Sequence, residues 1–332
     1  MPQEKYPLEA LFGRVLSPFE EFLRRTTAGG IVLIAATLIA LGLAIALGDD
    51  AIHHFWERRL AIGGEHRALE LTWHHWVNDG LMALFFLLVG LELKREILAG
   101  ELSSLKDAAL PVFAALGGMV VPAAIYAAFN AGTPSVHGWG IPMATDIAFA
   151  IGILVMLGRR IPKNLVIFLT ALAIADDLGA VLVIAIFYTT SIDANALALA
   201  AACLAALVLL NRGGIRHPLP YAILGILLWL AVLASGVHAT IAGVLLAFTI
   251  PVRAAFTAEQ FEKRIDELRA TFMADTHDPS TSDDPLRNPR LAAIAAAMER
   301  SAVAVQSPLQ RIEHALSPWV TFLVIPMFAQ GS

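Results

Sequence analysis

Charge is scarce in this chain. Only 15% of its 332 residues are Asp, Glu, Lys or Arg, while 58% are hydrophobic and mean hydropathy is +0.69. A water-soluble domain of this length cannot hide so much apolar surface, which leaves a polytopic membrane protein. Cysteine is almost absent as well. Cys203 stands alone, which excludes an internal disulfide and a thiolate metal cluster, and its expected role is a small apolar side chain in a span. Period-two alternation is missing from the apolar runs, which are about 18–24 residues long, so an all-α bundle is predicted rather than a barrel. No cleavable leader is expected, because the first apolar run begins only near Gly30. The formal net charge of -5 decides little by itself, and neither a cofactor nor a nucleic-acid partner is expected.

What is present is a series of apolar runs. Spans are predicted at 30–47, 77–93, 108–129, 139–157, 165–188, 194–210, 220–233 and 238–250, with an incomplete ninth at 316–332. Residues 1–29 form a polar lead, within which Leu8–Arg25 has the spacing of an amphipathic surface helix. Residues 59–71 carry Gly63-Gly64 and predict two short strands about a turn. Residues 251–315 form a charged insertion, with helices expected over 257–275 and 291–305 around a linker rich in Asp, Pro, Ser and Thr.

Basic residues fix the expected orientation. Of the 23 Lys and Arg, all but Arg58, Arg59 and Arg67 fall in segments on one side of these spans. The positive-inside rule therefore assigns the N-terminus to the cytoplasm.

Chemistry is expected where acids interrupt the apolar runs. Asp146 follows Pro142 by four residues, with Thr145 beside it. A proline inside a span frees backbone carbonyls. Carboxylate, hydroxyl and carbonyl oxygens are the hard ligands that suit a small hard cation. The plainer reading is a kink, with Asp146 paired to a neighbouring span. Asp176 and Asp177 are adjacent in the next run, so on a helix they point about 100° apart. One would line the site and the other couple to it or hold packing. Acids at membrane depth cost at least about 2.5–3.5 kcal/mol and persist where they serve a pathway. From these residues alone an intramembrane aspartyl protease is a remote alternative, since Asp146 and Asp176 could face one water.

The motifs Ala144–Ala150, Ala173–Ala180, Phe85–Glu96, Ser235–Gly243 and Arg311–His314 together resemble the NhaA family of bacterial sodium/proton antiporters. The resemblance implies an inverted-repeat bundle with broken helices meeting at mid-membrane. It implies a secondary transporter, not an enzyme, exchanging Na+ or Li+ for H+ in the bacterial inner membrane. Asp176 and Asp177 match the family's ion- and proton-binding pair, and Thr145 and Asp146 match its broken-helix residues. Glu92, Lys94, Arg95 and Glu96 match funnel charges used in pH response, and Glu313, His314 and His238 match residues that act with them. Read alone, the first four are a mixed-charge span end, Glu313 and His314 an ordinary pre-membrane helix end, and His238 a helix-start histidine. The 59–71 hairpin matches the element through which the family forms homodimers. About three family spans, including the second broken helix and a membrane-embedded lysine, have no counterpart, so a C-terminally truncated member is expected, with a non-transporting remnant as the alternative reading.

Overall fold

The computed structural model describes residues 26–62, 69–143, 145, 150, 154, 161–189, 192–276 and 288–331. The predicted lead helix at Leu8–Arg25, the Gly63-Gly64 turn and Asp146 lie outside these residues.

Helix α1 covers Thr26–Leu47 and α2 Asp49–Trp56. Strands β1 (Arg59–Ile62) and β2 (Leu69–Thr72) pair antiparallel, with Arg59 opposite Thr72 and Ile62 opposite Leu69. One helical turn (Trp73–His75) and a π segment (Trp76–Leu81) lead into α3, Met82–Ala99. Helix α4 is Leu105–Phe129, and a 3₁₀ segment covers Pro134–Met143. Then come α5 (Lys163–Phe187), α6 (Ala194–Arg212), α7 (Pro218–Ala234) and α8 (Ile241–Thr249). Helices α9 (Ala258–Thr276) and α10 (Pro289–Ala304) form the insertion. Helix α11 (Pro308–Trp319) runs through a π segment (Val320–Val324) into α12, Ile325–Gly331.

Among the described residues, four helical stretches are long and apolar enough to cross a bilayer: Gly29–Leu47, Lys106–Phe129, Asn164–Phe187 and Ala194–Arg212. Their outward faces are apolar to a degree that water would not tolerate. Ile45 is 79% exposed and Phe113 73%, which is the surface a multi-pass protein offers to lipid.

Local chemistry explains the helix starts. Asp193 Oδ1 accepts from Asn195 N at 2.8 Å and Ala196 N at 3.0 Å, capping α6. Pro218 and Pro308 occupy the first turns of α7 and α11, where a missing N–H is harmless. Ser307 and Gln310 complete a capping box on α11.

Three expected boundaries move. The run drawn from Trp139 begins as 3₁₀ rather than α-helix, and that segment contains Pro142. The run drawn from His238 is regular helix only over Ile241–Thr249; Gly236, at φ +81°, turns the chain ahead of it. Nine residues rise about 14 Å, too short to cross a bilayer. The ninth run starts earlier than Leu316, because the Ser307 cap begins the helix at Pro308 and Pro318 does not end it.

Three packing groups form among the described residues, and two of them bear on the site. Leu87 and Leu91 of α3, Cys203 and Leu207 of α6, Leu228 of α7, Ala247 of α8 and Leu309 of α11 share one core. In the other, Met119 and Ala123 of α4 meet Met143, with Leu172 and Ala175 of α5 packed against them. Helix α5 also touches α3, joining the groups.

Candidate functional site

Helix α5 is 25 residues long, a rise of about 37 Å, and Asp176 and Asp177 sit at its middle. Asp176 is 2% exposed, whereas Asp177 is half-buried. The two therefore face different surroundings, as adjacent helical positions must. Gly179 lets α4 approach close beside them: a Cβ there would stand 2.5 Å from the Met119 side chain.

Past the 3₁₀ segment, Thr145 lies in non-helical backbone. Its hydroxyl donates to Oδ2 of Asp176. The other carboxylate oxygen, Oδ1, is buried with no hydrogen-bond partner among the described residues. A buried carboxylate with one oxygen anchored and one open can receive a proton or a small cation. Among the described residues no cluster of three His, Cys, Asp or Glu side chains could hold a metal ion.

The charged residues near the end of α3 form a second constellation. Lys94 Nζ donates to the carbonyls of Phe248 at 2.7 Å and Ile250 at 2.5 Å, and more weakly to Ala247 at 3.5 Å. It therefore caps the C-terminal end of α8, where a cation is favourable. Burial pushes this ammonium, just past the apolar run that ends at Leu93, down to about 8. Arg95 pairs with Glu313 of α11 through Nη1, and its Nη2 stands 3.8 Å from Glu96. Glu92 is half-buried and feels Glu313, Arg95 and Glu96 electrostatically.

The structure thus joins Thr145 to Asp176, and Arg95 to Glu96 and Glu313. Glu313 is 8% exposed, so it is an inward-facing partner and not an ordinary helix end. His314 does not join the cluster. It is exposed and its Nδ1 meets the Gln310 carbonyl of its own helix at 2.7 Å. His238 lies in the turn before α8, half-buried.

Sequence reasoning passed over Asp79, although the signal was the same as for the other acids. It lies inside the run drawn as 77–93, is 9% exposed on the π segment, and has His75, His238 and His74 close enough to act on its carboxylate. A groove of about 530 Å³ bordered by Trp76, Leu87, Tyr221, Trp229, Leu246 and Leu316 is apolar throughout, which makes it unsuited to an ion.

Comparison with known proteins gives one consistent answer. A family model described as Na+/H+ antiporter 1 matches residues 20–331. A Na(+)/H(+) antiporter NhaA from Syntrophobacter fumaroxidans is 62% identical over 327 residues, 98% of this chain and 69% of the relative. Another from Acidithiobacillus ferrooxidans is 57% identical over 315 residues, covering 95% and 72%. A third, from Oleidesulfovibrio alaskensis, is 46% identical over 320 residues, covering 95% and 70%.

Proposed function

This chain belongs to the Na+/H+ antiporter 1 family, and on that premise we propose that it is a secondary transporter exchanging Na+ or Li+ for H+. The carrying observation is Asp176, buried at the middle of an apolar helix, with Thr145 on one oxygen and none of the described residues on the other. Asp176 and Asp177 alternately hold protons and a cation, so that neither ion crosses without the other. Thr145 fixes the receiving carboxylate from non-helical backbone, and Asp146, next in the sequence, is read as a further ion ligand.

The remaining parts follow from the same reading. Glu92, Lys94, Arg95, Glu96, Glu313, His314 and His238 set the pH response, and the excess of basic residues on one side of the spans supports a cytoplasmic N-terminus. The bundle is an inverted-repeat arrangement of about nine spans in the bacterial inner membrane, in contact with its lipid. Its organisation is a lead at 1–29, a transmembrane bundle over 30–250 in which α8 is only a half-length element, the charged insertion from 251, and a last run whose helix begins at Pro308. Homodimers form through the 59–71 hairpin, whose strands present Arg59 and Glu70 in a cross-strand pair at 3.7 Å.

The test is sodium-induced dequenching of a pH dye in inverted vesicles. Asp176→Asn and Asp177→Asn each abolish the signal that the unaltered chain gives. Undiminished exchange in both variants removes the mechanism.

A further inference from the structure

Among the described residues, helices α9 and α10 contribute no side chain to either constellation. They pack on one another, burying Leu268, Leu291 and Ile294. At their far end Asp275 accepts from Asn288 Nδ2 at 3.1 Å and pairs with Arg290 at 3.4 Å. At the near end the module closes on itself: Ala255 N and Phe256 N both donate to the Ala304 carbonyl, at 2.9 and 3.0 Å. One step nearer the bundle, Leu309 N donates to the Pro251 carbonyl at 3.2 Å. The chain leaves and re-enters the bundle at one point.

That point is held by the bundle itself. A helix ends with four carbonyls lacking partners within it. At the end of α8, Lys94 takes Ala247, Phe248 and Ile250, Asn211 Nδ2 takes Thr249 at 2.6 Å, and Leu309 N takes Pro251. Every carbonyl from Ala247 to Pro251 has a donor, and none of these donors belongs to α9 or α10. Residues 255–304 also carry nine Asp and Glu against six Lys and Arg, a balance that an anionic lipid surface does not attract.

We infer that α9 and α10 form an accessory module standing off the bundle, separable from transport, and that Lys94, Asn211 and the Leu309 backbone finish the bundle in its place. Lys94 and Asn211 are then positioning residues for α8. The part of this inference that concerns exchange rests on the antiport reading; the part that concerns folding does not.

Three variants of the full chain test it. In the first, residues 256–303 are replaced by Gly-Ser-Gly, a link that spans ends already in hydrogen-bond contact. In the second, Leu268→Asp unfolds the module in place, and in the third Asn211→Leu takes a donor from the clamp. Melting of the purified protein in detergent and dye dequenching in vesicles are the readouts. The first two variants keep the melting temperature of the bundle and keep exchange within about threefold, as expected for sites without shared partners. Asn211→Leu lowers the melting temperature with the module intact, because the Thr249 carbonyl loses its donor. A larger loss of exchange in both module variants, or a fall in melting equal to that of Asn211→Leu, overturns the inference. Should the unaltered chain show no exchange, the antiport reading fails and the melting comparison alone decides this one.

Discussion

Thr145 donates its hydroxyl hydrogen to Oδ2 of Asp176, 31 positions further along the chain. The bond ties the non-helical backbone at Thr145 to the middle of an apolar helix, and it holds one carboxylate oxygen of the more buried acid in α5. Removing the donor leaves that oxygen buried and unanswered. Hydrogen bonds to charged groups are worth about 1.5–3 kcal/mol, so Thr145→Val should raise half-saturating sodium about tenfold or more. Thr145→Ser keeps the hydroxyl and should stay near the parent. The measurement is dye dequenching against sodium concentration in inverted vesicles; parent-like values for Thr145→Val would detach Thr145 from the site.

The scaffold for the second constellation is the close crossing of α3 and α8. A Cβ added at Gly90 would stand 2.7 Å from Ala247 Cβ and 3.2 Å from Val244 Cα, and one of those neighbours is backbone. Small residues at such crossings let helices approach where lipid offers no hydrophobic driving force. Gly90→Val is therefore expected to cost about 1–3 kcal/mol through overpacking. The melting temperature in detergent should fall, and the three donations from Lys94 to α8 should weaken with it. An unchanged melting temperature would show that the helices can move apart freely.

How much of this was legible beforehand depends on whether an atom answers to its own segment or to a distant one. The apolar run over 194–210 became α6, Ala194–Arg212, because length, hydropathy and the Asp193 cap are all local. The prominence of Asp176 was legible for a similar reason, since an acid in an apolar run announces itself. The grip of Lys94 on Phe248 and Ile250 spans more than 150 positions, and nothing near Lys94 in the chain signals it. The late start of α8 escaped because hydropathy counts His238 and Ala239 with the run, while the turn at Gly236 is a matter of backbone angle. Asp79 escaped for no physical reason, since its signal was as plain as that of Asp176.

Arg95 and Glu313 are unequal partners, and that inequality predicts asymmetric costs. Glu313 keeps 10% of its side chain exposed and Arg95 41%, and Glu313 Oε2 is buried with no hydrogen-bond partner among the described residues. Arg95→Gln strands a buried charge, whereas Glu313→Gln leaves a guanidinium that water can reach. The first should cost about 1–2 kcal/mol once solvent screening of Arg95 is allowed for, the second less, and the pair together less than their sum. Denaturant unfolding of the three variants in detergent checks this. Equal single costs that simply add would mean the contact carries no coupling.

Lys94 gives the same region a pH dependence whose sign can be worked out. Burial holds its ammonium down to about 8 in the folded protein, against about 10.4 for a lysine in an unfolded chain. Between those values the unfolded state binds a proton that the folded state has lost, so the Lys94 contribution to stability rises with pH across the window. Below about 8 both states are charged and above about 10.4 both are neutral, so the contribution is flat on either side. Lys94→Met has no such group. The melting temperature of the parent minus that of Lys94→Met should accordingly climb as pH is raised from about 8 to about 10. A difference that stays level across that interval would mean that the Lys94 ammonium is as well solvated as any surface lysine, and that α8 is not closed over it.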